Sequence, residues 1–526
     1  MLVHDLLHQT ARRVPDNIAL VAGSESLCYA ELSSAASACA ELLLQRRLMR
    51  GDRVAIYSEK RFEFVAAMFG ISEAGGAYVP VNPLLKGEQV RYIVNDCTAV
   101  ALITTRARFA AIADSIRNCP SLRTVIIVDR AAEPAAGDYR EFAVVDWPRD
   151  GAERRLPRHR VIDADIAAIL YTSGSTGSPK GVVLSHRNIV AGAVSVSQYL
   201  EIVEQDRLVC VLPLSFDYGM NQVTTAMLRG ARAVLLDHLF ARDVVNAVAR
   251  YGITGLAAVP PLWIQLADLE WPVEAQRSLR YFTNSGGAMP RETLRKLRRA
   301  LPNARPFLMY GLTEAFRSTY LDPSEVDRRP DSIGKAIPNA EILVVRPDGS
   351  LCDVDEPGEL VHRGVHVALG YWNDPVRTAE RYRPVPGQVP GLPIPELAVW
   401  SGDTVRRDAE GFLYFVGRRD EMIKTSGYRV SPTEVEEAIY ALNLVGEVAA
   451  FGVPHPQLGQ AIVVVAAEPY TAAATADAIR KECQARLPTF MVPMHIDLRS
   501  APLPRNPNGK IDRKSLAQEF ANLFST

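Results

Sequence analysis

The amino-acid sequence predicts an α/β fold in which parallel and mixed sheets are covered by helices. Apolar, strand-like runs alternate with helical patterns along much of the chain. The 526 residues are 48% hydrophobic and 23% charged, an ordinary globular composition with enough apolar residues for more than one domain. In addition, a run of glycines and hydroxyls with one lysine follows an apolar segment, which is typical of a phosphate-binding loop at the end of a strand.

Two successive strand–helix–strand units carry this pattern most clearly. In each unit an apolar run precedes an amphipathic helical stretch, and a second apolar run follows. Such units join parallel strands, so they predict sheets with helices on both faces. The first unit is predicted at residues 53–57, 62–74 and 77–81, and the second at 99–104, 107–116 and 124–128.

Three polar stretches are predicted to lie on the surface. Residues 130–160 are rich in Ala, Pro, Glu, Asp and Arg, which indicates a solvated excursion rather than a break between domains. Residues 383–395 are rich in Pro and Gly and predict a surface loop. The basic run 291–299 is most simply the solvent-exposed face of a helix.

Composition excludes several classes of function. The 59 basic and 60 acidic residues give a net charge of -1, which favours neither nucleic-acid binding nor electrostatic docking to a membrane. The seven cysteines are far apart and form no Cys-x-x-Cys pair, so the sequence indicates neither a zinc site nor a disulfide framework. No apolar run approaches the roughly 18 residues of a membrane span. We therefore expect a cytoplasmic protein.

The predicted phosphate loop at residues 171–182 reads Tyr-Thr-Ser-Gly-Ser-Thr-Gly-Ser-Pro-Lys-Gly-Val. Glycines allow positive φ and bring backbone N–H groups close to an anion, while the hydroxyls and Lys180 add donors and charge. These properties favour a nucleotide triphosphate as the ligand. The spacing differs from the common P-loop because Pro179 stands where that motif has its second glycine. On composition alone, a flexible connection is the alternative interpretation.

The order of the residues in this loop resembles the ATP-phosphate loop of the adenylate-forming superfamily. That superfamily includes acyl-CoA synthetases, adenylation domains of non-ribosomal peptide synthesis and luciferases. The resemblance implies a large N-terminal domain at 1–419, a small mobile α+β domain at 420–526 with a hinge near Asp420, and ATP and Mg2+ as cofactors. The loop residues implied to bind ATP are Thr172, Ser173, Gly174, Ser175, Thr176, Gly177 and Lys180.

The segment Met-Tyr-Gly-Leu-Thr-Glu at 309–314 resembles a second nucleotide-binding motif of the superfamily. The resemblance implies that Tyr310 stacks on adenine, Thr313 contacts the α-phosphate and Glu314 binds Mg2+, roles that suit an aromatic face, a hydroxyl donor and a hard oxygen ligand. Asp403 would accept hydrogen bonds from both ribose hydroxyls, although beside Gly402 it also suits a simple turn. Further residues implied to contact ATP are Gly286, Gly287, Met309, Gly311 and Arg418.

Residues 504–512 read Pro-Arg-Asn-Pro-Asn-Gly-Lys-Ile-Asp and resemble the terminal motif whose lysine is catalytic. Composition alone would make Lys510 a solubilising charge; the resemblance makes it a catalytic residue together with Thr313 and Glu314. Gly427 would let the backbone approach a pantetheine arm. Many acyl-CoA members carry a lysine immediately before that glycine, whereas this chain has Ser426. This departure weakens the case for CoA and favours the phosphopantetheine of a carrier protein as the thiol acceptor.

The pair Phe216-Asp217 resembles amino-acid adenylation domains, whereas acyl- and aryl-CoA ligases commonly have a histidine at the position of Phe216. In the amino-acid adenylation domains the aspartate pairs with the α-ammonium group of the substrate. A buried carboxylate needs such a cation. Alternatively, Ser215 or Asp217 caps a helix that begins near Tyr218. Arg317 would serve a second acidic group or pair with Asp217, and the pairing would undo the argument for an ammonium partner. The implied pocket is Phe216, Asp217, Tyr218, Asn221, Thr283, Ser285, Met309, Arg317 and Ser318.

The pocket motifs are most similar to AMP-forming acyl ligases associated with exosortase systems, typically found beside a decarboxylase and a small acyl carrier protein. They are also similar to stand-alone aminoacyl, including prolyl, carrier-protein ligases. We therefore predict adenylation of an amino acid and its transfer to a carrier protein in trans, since the chain ends at Thr526, only 14 residues past Asp512. Two alternatives stay open: an acid:CoA ligase for an aryl or aliphatic acid, and a catalytically silent nucleotide-binding protein.

Overall fold

The computed structural model of the chain describes residues 1–129, 141–148, 156–172, 179–388, 391–418, 421–425, 428–456, 458–469, 475–507 and 509–524. Within these ranges the chain forms three β-sheets and fifteen α-helices. Two sheets belong to a large N-terminal domain and the third to a small C-terminal domain. The predicted α/β class, with a large and a small domain, is confirmed.

The helices cover the sheets, and most of them follow a strand directly. In chain order they are α1 Val3–Arg13, α2 Tyr29–Gln45, α3 Phe62–Glu73, α4 Gly87–Asp96, α5 Arg106–Ile116, α6 His186–Tyr199, α7 Asp217–Arg229, α8 Ala241–Tyr251, α9 Pro260–Ala267, α10 Val273–Ser278, α11 Arg291–Ala300, α12 Pro375–Arg381, α13 Pro432–Tyr440, α14 Ala476–Arg486 and α15 Arg513–Glu519. Short 3₁₀ helices lie at Thr313–Ala315, Pro323–Glu325 and Thr489–Met491.

The strands alternate with these helices in the first half of the chain and follow one another more closely in the second. In chain order they are β1 Ile18–Ala22, β2 Glu25–Cys28, β3 Arg53–Tyr57, β4 Ala77–Pro80, β5 Ala101–Thr104, β6 Thr124–Ile127, β7 Ala143–Asp146, β8 Ile166–Thr172, β9 Lys180–Ser185, β10 Arg207–Cys210, β11 Arg232–Leu235, β12 Gly255–Ala258, β13 Tyr281–Asn284, β14 Arg305–Tyr310, β15 Thr319–Leu321, β16 Ser332–Ala336, β17 Ala340–Val345, β18 Gly358–Gly364, β19 Tyr382–Pro384, β20 Leu397–Arg407, β21 Leu413–Arg418, β22 Ile423–Thr425, β23 Tyr428–Val430, β24 Val445–His455, β25 Gly459–Pro469 and β26 His495–Arg499.

The two sheets of the large domain combine parallel and antiparallel pairs. The 7-stranded sheet has the order β7-β6-β5-β3-β4-β8-β9 and is parallel except for the β8–β9 hairpin at its edge. The 14-stranded sheet has the order β17-β18-β20-β21-β16-β15-β14-β13-β12-β10-β11-β1-β2, with β19 added to β20. Within this order the consecutive strands β14-β13-β12-β10-β11-β1 are parallel to one another. In the small domain, β23-β22-β25-β24 and β26 form the 5-stranded sheet.

Helix α7 lies between the two large sheets and is buried from Asp217 to Met227. On one side the Tyr78 hydroxyl of β4 contacts the sulfur of Met220 at 3.3 Å, and on the other the Gln222 side-chain amide donates to the Val209 carbonyl of β10 at 2.9 Å. A helix with sheets on both faces must be uncharged around its whole circumference, and α7 carries charge only at its first and last residues. The charge at its first residue, Asp217, is therefore held inside the protein.

The predicted strand–helix–strand units agree with the structure to within one or two residues at each boundary. Strand β3 covers the predicted residues 53–57, and helix α5 begins one residue before the predicted 107–116. The predicted surface loop at 383–395 is partly wrong, because Arg383 and Pro384 pair with β20 as part of β19. In the described ranges, none of the helices is long and apolar enough to cross a membrane.

Contacts between the small and the large domain include the following two. The Asn82 side-chain amide donates to the Pro507 carbonyl at 2.8 Å. On α13, the Glu437 carboxylate accepts from the backbone N–H of Arg291 and faces the carboxylate of Asp331. Burial raises the pKa of Glu437 to about 7, with Asp331 adding to the rise and Arg291 opposing it. The docked arrangement therefore favours the protonated form of Glu437.

We predict that docking of the small domain weakens as the pH rises. The pKa of Glu437 is raised from 4.5 to about 7, so the docked state loses stability relative to the undocked state between those pH values and changes little above them. Fluorescence energy transfer between labels on the two domains, measured from pH 5 to pH 8, reports the docked fraction. Glu437→Gln should flatten the profile, whereas Glu434→Gln, on the exposed side of α13, should not. An unchanged profile in Glu437→Gln would contradict the prediction.

Candidate active site

The two ends of the predicted phosphate loop are joined by the β8–β9 hairpin. Thr172, at the end of β8, lies opposite Lys180, at the start of β9. The hairpin therefore sets where the loop leaves and re-enters the edge of the 7-stranded sheet. The contact of the loop with phosphate stays a prediction, because it falls on residues outside the described ranges: Ser173, Gly174, Ser175, Thr176 and Gly177.

A carboxylate, a phenol and an ammonium group lie together beside this hairpin. The Tyr371 hydroxyl donates to Oε1 of Glu314 at 2.6 Å, and Nζ of Lys180 lies 5.3 Å from the centre of the Tyr371 ring. Burial and the positive charge of Arg377 lower the pKa of Lys180, while Glu314 raises it. The cluster thus places a hard oxygen ligand and a cation at the phosphate end of the site.

The predicted adenosine end of the site is where β14 and β20 meet. Tyr310, the last residue of β14, donates its hydroxyl to Oδ2 of Asp403. Asp403 lies opposite Arg418 in the β20–β21 pair. Two motifs that are far apart in the chain therefore meet here, and their contact with adenosine stays a prediction. The side chain of Arg418 lies outside what the structure describes.

Asp217 forms a buried ion pair with Arg317. Nη1 of Arg317 donates to Oδ2 of Asp217 at 2.9 Å, and the two side chains are 3% and 4% exposed. The Thr313 hydroxyl is 3.5 Å from Oδ1, at the limit of hydrogen-bond distance. Burial raises the pKa of Asp217, although Arg317 and Lys510 both act to lower it. The cations around the ionised carboxylate therefore do not fully compensate for its loss of water.

Neither Ser215 nor Asp217 occupies the N-cap position, although the Asp217 carboxylate accepts a hydrogen bond from the backbone N–H of Tyr218 in the first turn of the helix. Helix α7 begins at Asp217, and Phe216 occupies the N-cap position without a side-chain cap hydrogen bond. The Ser215 hydroxyl is buried and has no hydrogen-bond partner among the described residues. Of the two roles predicted for Arg317, the structure shows its pairing with Asp217.

Lys510 enters the site from the small domain. Its Nζ lies 5.9 Å from the centre of the Phe216 ring, and its charge acts on Asp217. Gly286 leaves room for it: a β-carbon at that position would lie 3.0 Å from Cε of Lys510, and the backbone there has φ +83. Any side chain at 286 would therefore strain the backbone and crowd the lysine.

A narrow cavity lies between α6, α7 and the parallel strands of the larger sheet. Its volume is about 20 Å³, so it has room for little more than one water molecule. Five of the predicted pocket residues line it: Tyr218, Asn221, Thr283, Met309 and Arg317. Its other lining residues are Val196, Leu200, Ile202, Leu208, Gln222, Thr225, Gly255, Ala257 and Tyr281.

The remaining predicted pocket residues lie outside the lining of this cavity. Phe216 and Asp217 lie on the side that faces Lys510. The Ser318 hydroxyl is instead 2.9 Å from Nδ1 of His362 in a separate buried contact, and Ser285 is buried beside Gly286. A role for these four side chains in binding the acid stays a prediction.

Sequence reasoning missed several residues that the structure brings to the site. Gln222 and Thr225 line the cavity, and they follow Tyr218 and Asn221 at the i, i+3, i+4, i+7 spacing of one helix face. That spacing could have predicted Gln222 and Thr225 from the sequence. No pattern in the sequence pointed to Tyr371, because its contact with Glu314 joins residues 57 positions apart.

Comparison with known proteins gives the family. A profile described as AMP-binding enzyme matches residues 7–372, and one described as AMP-binding enzyme C-terminal domain matches residues 434–510. The chain belongs to the AMP-binding enzyme family. The L-proline–[L-prolyl-carrier protein] ligase of Pseudomonas fluorescens is 31% identical over 539 residues, which cover 98% of this chain and 99% of that protein. Bacitracin synthase 3 of Bacillus licheniformis is 28% identical over 99% of this chain, which spans only 8% of that synthase.

Solved structures of this AMP-binding family share the fold of both domains. ATP-bound MatB from Rhodopseudomonas palustris matches with a TM-score of 0.85 at 23% identity, over 100% of each chain. The anthranilate CoA ligase AuaEII in complex with anthranoyl-AMP matches with a TM-score of 0.85 at 24% identity, over 99% of this chain and 97% of that one. This AMP-binding enzyme is an AMP-forming acid–thiol ligase. The O-succinylbenzoate CoA synthetase MenE of Bacillus subtilis, at 25% identity and a TM-score of 0.81, was solved in complex with ATP and a magnesium ion.

The geometry suits the first step of such a ligase. A carboxylate oxygen of the acid attacks the α-phosphorus of ATP, and the bond to pyrophosphate breaks. Both reactants are anionic, so the step needs cations on either side of the reacting phosphorus. Lys510 approaches from the small domain and Lys180 from the β8–β9 hairpin.

Glu314 fits the predicted magnesium site. Among the described residues no group of three or more His, Cys, Asp or Glu side chains could hold a metal, but Mg2+ commonly binds through one or two carboxylates together with substrate phosphates. Glu314 would hold the ion in this way, beside the hydroxyl of Tyr371. When bound, the ion neutralises charge on the phosphate oxygens.

A strained turn positions the site residues that follow β14. Phe316 has φ +56, which is a genuine outlier for a bulky side chain, and it is fully buried. Its ring packs against Gly192 of α6, where a β-carbon would overlap the ring atoms. This contact fixes the backbone of the next residue, Arg317.

We predict that Gly192→Ala lowers stability by about 1–3 kcal/mol, because the new methyl group displaces the Phe316 ring. The displaced turn should also raise the KM for the acid while the KM for ATP changes little. Thermal unfolding and steady-state kinetics measure both effects. Gly349→Ala is the control: its φ of +90 strains any side chain, but the new methyl group would meet open space and displace no ring. Equal effects of the two variants on the KM for the acid would contradict the prediction.

Proposed function

We propose that this ligase adenylates an α-amino acid and transfers it to the phosphopantetheine thiol of a separate carrier protein. The match to the prolyl-carrier protein ligase supports the proposal, because it is end to end and covers 99% of that protein. Segments of much longer synthases, such as bacitracin synthase 3, also match nearly the whole chain. The cytoplasm is the compartment that we propose for this reaction.

The observation that carries the amino-acid proposal is the incompletely compensated Asp217. Its carboxylate is buried between the cavity and Lys510, and its pKa is raised despite two neighbouring cations. A carboxylate accepts about four hydrogen bonds, and the contact from Thr313 to Oδ1 is long, at 3.5 Å. An α-ammonium group beside Oδ1 would supply the missing charge. The α-carboxylate of the same substrate would then lie toward Thr313 and Lys510.

The second half-reaction is proposed to involve residues outside the described ranges. The thiol attacks the acyl carbonyl of the acyl-AMP, the thiol proton is lost, and AMP leaves. Ser426 and Gly427 are proposed to lie along the phosphopantetheine arm. Asp420 is proposed as the hinge, between the end of β21 at Arg418 and the start of β22 at Ile423, and it divides the domains proposed at 1–419 and 420–526.

An acid:CoA ligase is the second candidate, and one observation favours it. Asp217 already has a cation at 2.9 Å in Arg317, so the pair is close to neutral without any substrate ammonium. A substrate that lacks an amino group would leave this pair undisturbed. The two candidates therefore differ in whether Asp217 contacts the substrate.

Exchange of labelled pyrophosphate into ATP tests the proposal, with the twenty amino acids and a panel of acids that lack an amino group. We expect a signal with one or two amino acids. Asp217→Asn should raise the KM for that amino acid by about 10- to 100-fold, the loss expected for a charge-assisted hydrogen bond, with the KM for ATP nearly unchanged. Mass spectrometry should then find the acyl group on a carrier protein.

Glu436→Gln is a matched control for this experiment. Glu436 is also a buried acid paired with an arginine, Arg513, at 2.7 Å, but it lies in the small domain. It should lose stability without a change in the KM for the amino acid. A signal only with acids that lack an amino group would overturn the proposal and favour the CoA ligase.

We predict that Lys510→Ala reduces acyl-AMP formation by more than about 100-fold, because the cation that stabilises the attack on phosphorus is lost. Thioester formation from supplied acyl-AMP should change only a few-fold, since that step needs no cation at the phosphorus. Single-turnover assays measure each half-reaction. Lys514→Ala, an exposed lysine in α15, should affect neither. Equal loss of both half-reactions in Lys510→Ala would refute the assignment.

A further inference from the structure

Arg317 is held in the interior in a way that leaves part of its guanidinium group unused. The side chain is 3% exposed, and only Nη1 is engaged by Asp217. Its Cζ lies 4.7 Å from the centre of the Tyr218 ring, which holds the guanidinium plane in place. Nε and Nη2 are buried without a hydrogen-bond partner among the described residues. Arg317 also lines the cavity.

Two unpaired guanidinium donors are costly in a protein interior. A buried donor without an acceptor loses its hydration without replacement, and an arginine presents its N–H groups as a fork that matches the two oxygens of a carboxylate. Other polar groups of the lining are near the same space: Oε1 of Gln222 is also buried without a partner among the described residues, and Asn221 and Thr225 line the cavity. The cavity is therefore built to receive a polar group.

The charges around Asp217 point in the same direction. Arg317 pairs with it, and the positive charge of Lys510 and the negative charge of Glu314 also act on it. An amino acid with an apolar side chain would bring its ammonium group to Asp217, which would then face two cations, because Arg317 already pairs with it. An amino acid with a side-chain carboxylate would supply a second anion, which the unpaired donors of Arg317 could bind.

We propose that Arg317 determines substrate specificity by binding, through Nε and Nη2, a carboxylate on the side chain of the substrate amino acid. The substrate class is then an α-amino acid that carries a second carboxylate. This inference rests on the proposed function for the amino group, but the role of Arg317 is tested separately from it.

The first test is the substrate preference of the native enzyme in pyrophosphate exchange. The panel holds aspartate and glutamate, their amides asparagine and glutamine, and the apolar amino acids norvaline and leucine. We expect the highest kcat/KM for aspartate or glutamate. A higher kcat/KM for an amide or an apolar amino acid overturns the proposal, while the proposed loading of an amino acid would stand.

The second test separates a specificity role from a structural one. Arg317→Lys keeps a cation beside Asp217 but lacks the second and third donors of the guanidinium fork. This variant should lower kcat/KM for the dicarboxylic amino acid by about 10- to 100-fold, through a higher KM. It should change kcat/KM for the apolar amino acids much less. Equal loss for every substrate overturns the proposal.

Two controls keep this test decisive. Arg305→Lys makes the same substitution on the exposed end of β14, where the arginine is paired with Glu201, and should leave the preference unchanged. If Arg317→Lys does not fold, Asp217→Asn combined with Arg317→Gln removes both charges of the pair together. This double variant should lose the preference for the dicarboxylic amino acid over its amide, and a retained preference overturns the proposal.

Acids without an amino group distinguish this inference from the proposed function. Succinate and glutarate carry the second carboxylate, whereas butyrate and pentanoate do not. Exchange with succinate or glutarate but with none of the amino acids would defeat the amino-acid proposal and support the role of Arg317. If the enzyme prefers butyrate or pentanoate to the dicarboxylic acids and to the amino acids, both the amino-acid proposal and the proposed role of Arg317 are wrong.

Discussion

The site depends on a short turn whose backbone is strained and whose side chains are fixed by packing. Between β14 and β15 the chain passes through Thr313, Glu314, Phe316 and Arg317, and Phe316 adopts φ +56 with its ring against Gly192. Strain of this kind persists only where surrounding contacts over-determine it. Because of this turn, one segment brings Thr313 and Arg317 to the buried carboxylate of Asp217 and Glu314 to the hydroxyl of Tyr371.

Burial of α7 explains the electrostatics of the pocket. Since sheets cover both faces of the helix, Asp217 at its start has no access to water and needs cations from elsewhere in the chain. Arg317 supplies one at 2.9 Å and Lys510 acts from the small domain. The pocket is thus assembled from a helix, a strained turn and a second domain, and its charge balance changes when any one of them moves.

The two lysines of the site belong to different domains. Lys180 begins a strand at the edge of the 7-stranded sheet, whereas Lys510 reaches the site only while the small domain is docked, with Pro507 bonded to Asn82 and Glu437 against Arg291. The docked position of the small domain therefore places the Lys510 ammonium group beside Phe216 and Asp217. The protonation of Glu437, with a pKa of about 7, links that position to pH.

The sequence by itself determined the α/β class, the strand–helix–strand units such as 53–81, and the separate motifs of the site, because periodicity and local residue order are properties of short segments. It left the role of Arg317 open between two partners and gave no sign of Tyr371. Only the tertiary structure decided that Arg317 pairs with Asp217, 100 positions away, and that Tyr371 bonds Glu314. Such contacts depend on how sheets and helices pack against each other, and no local pattern in the chain encodes them.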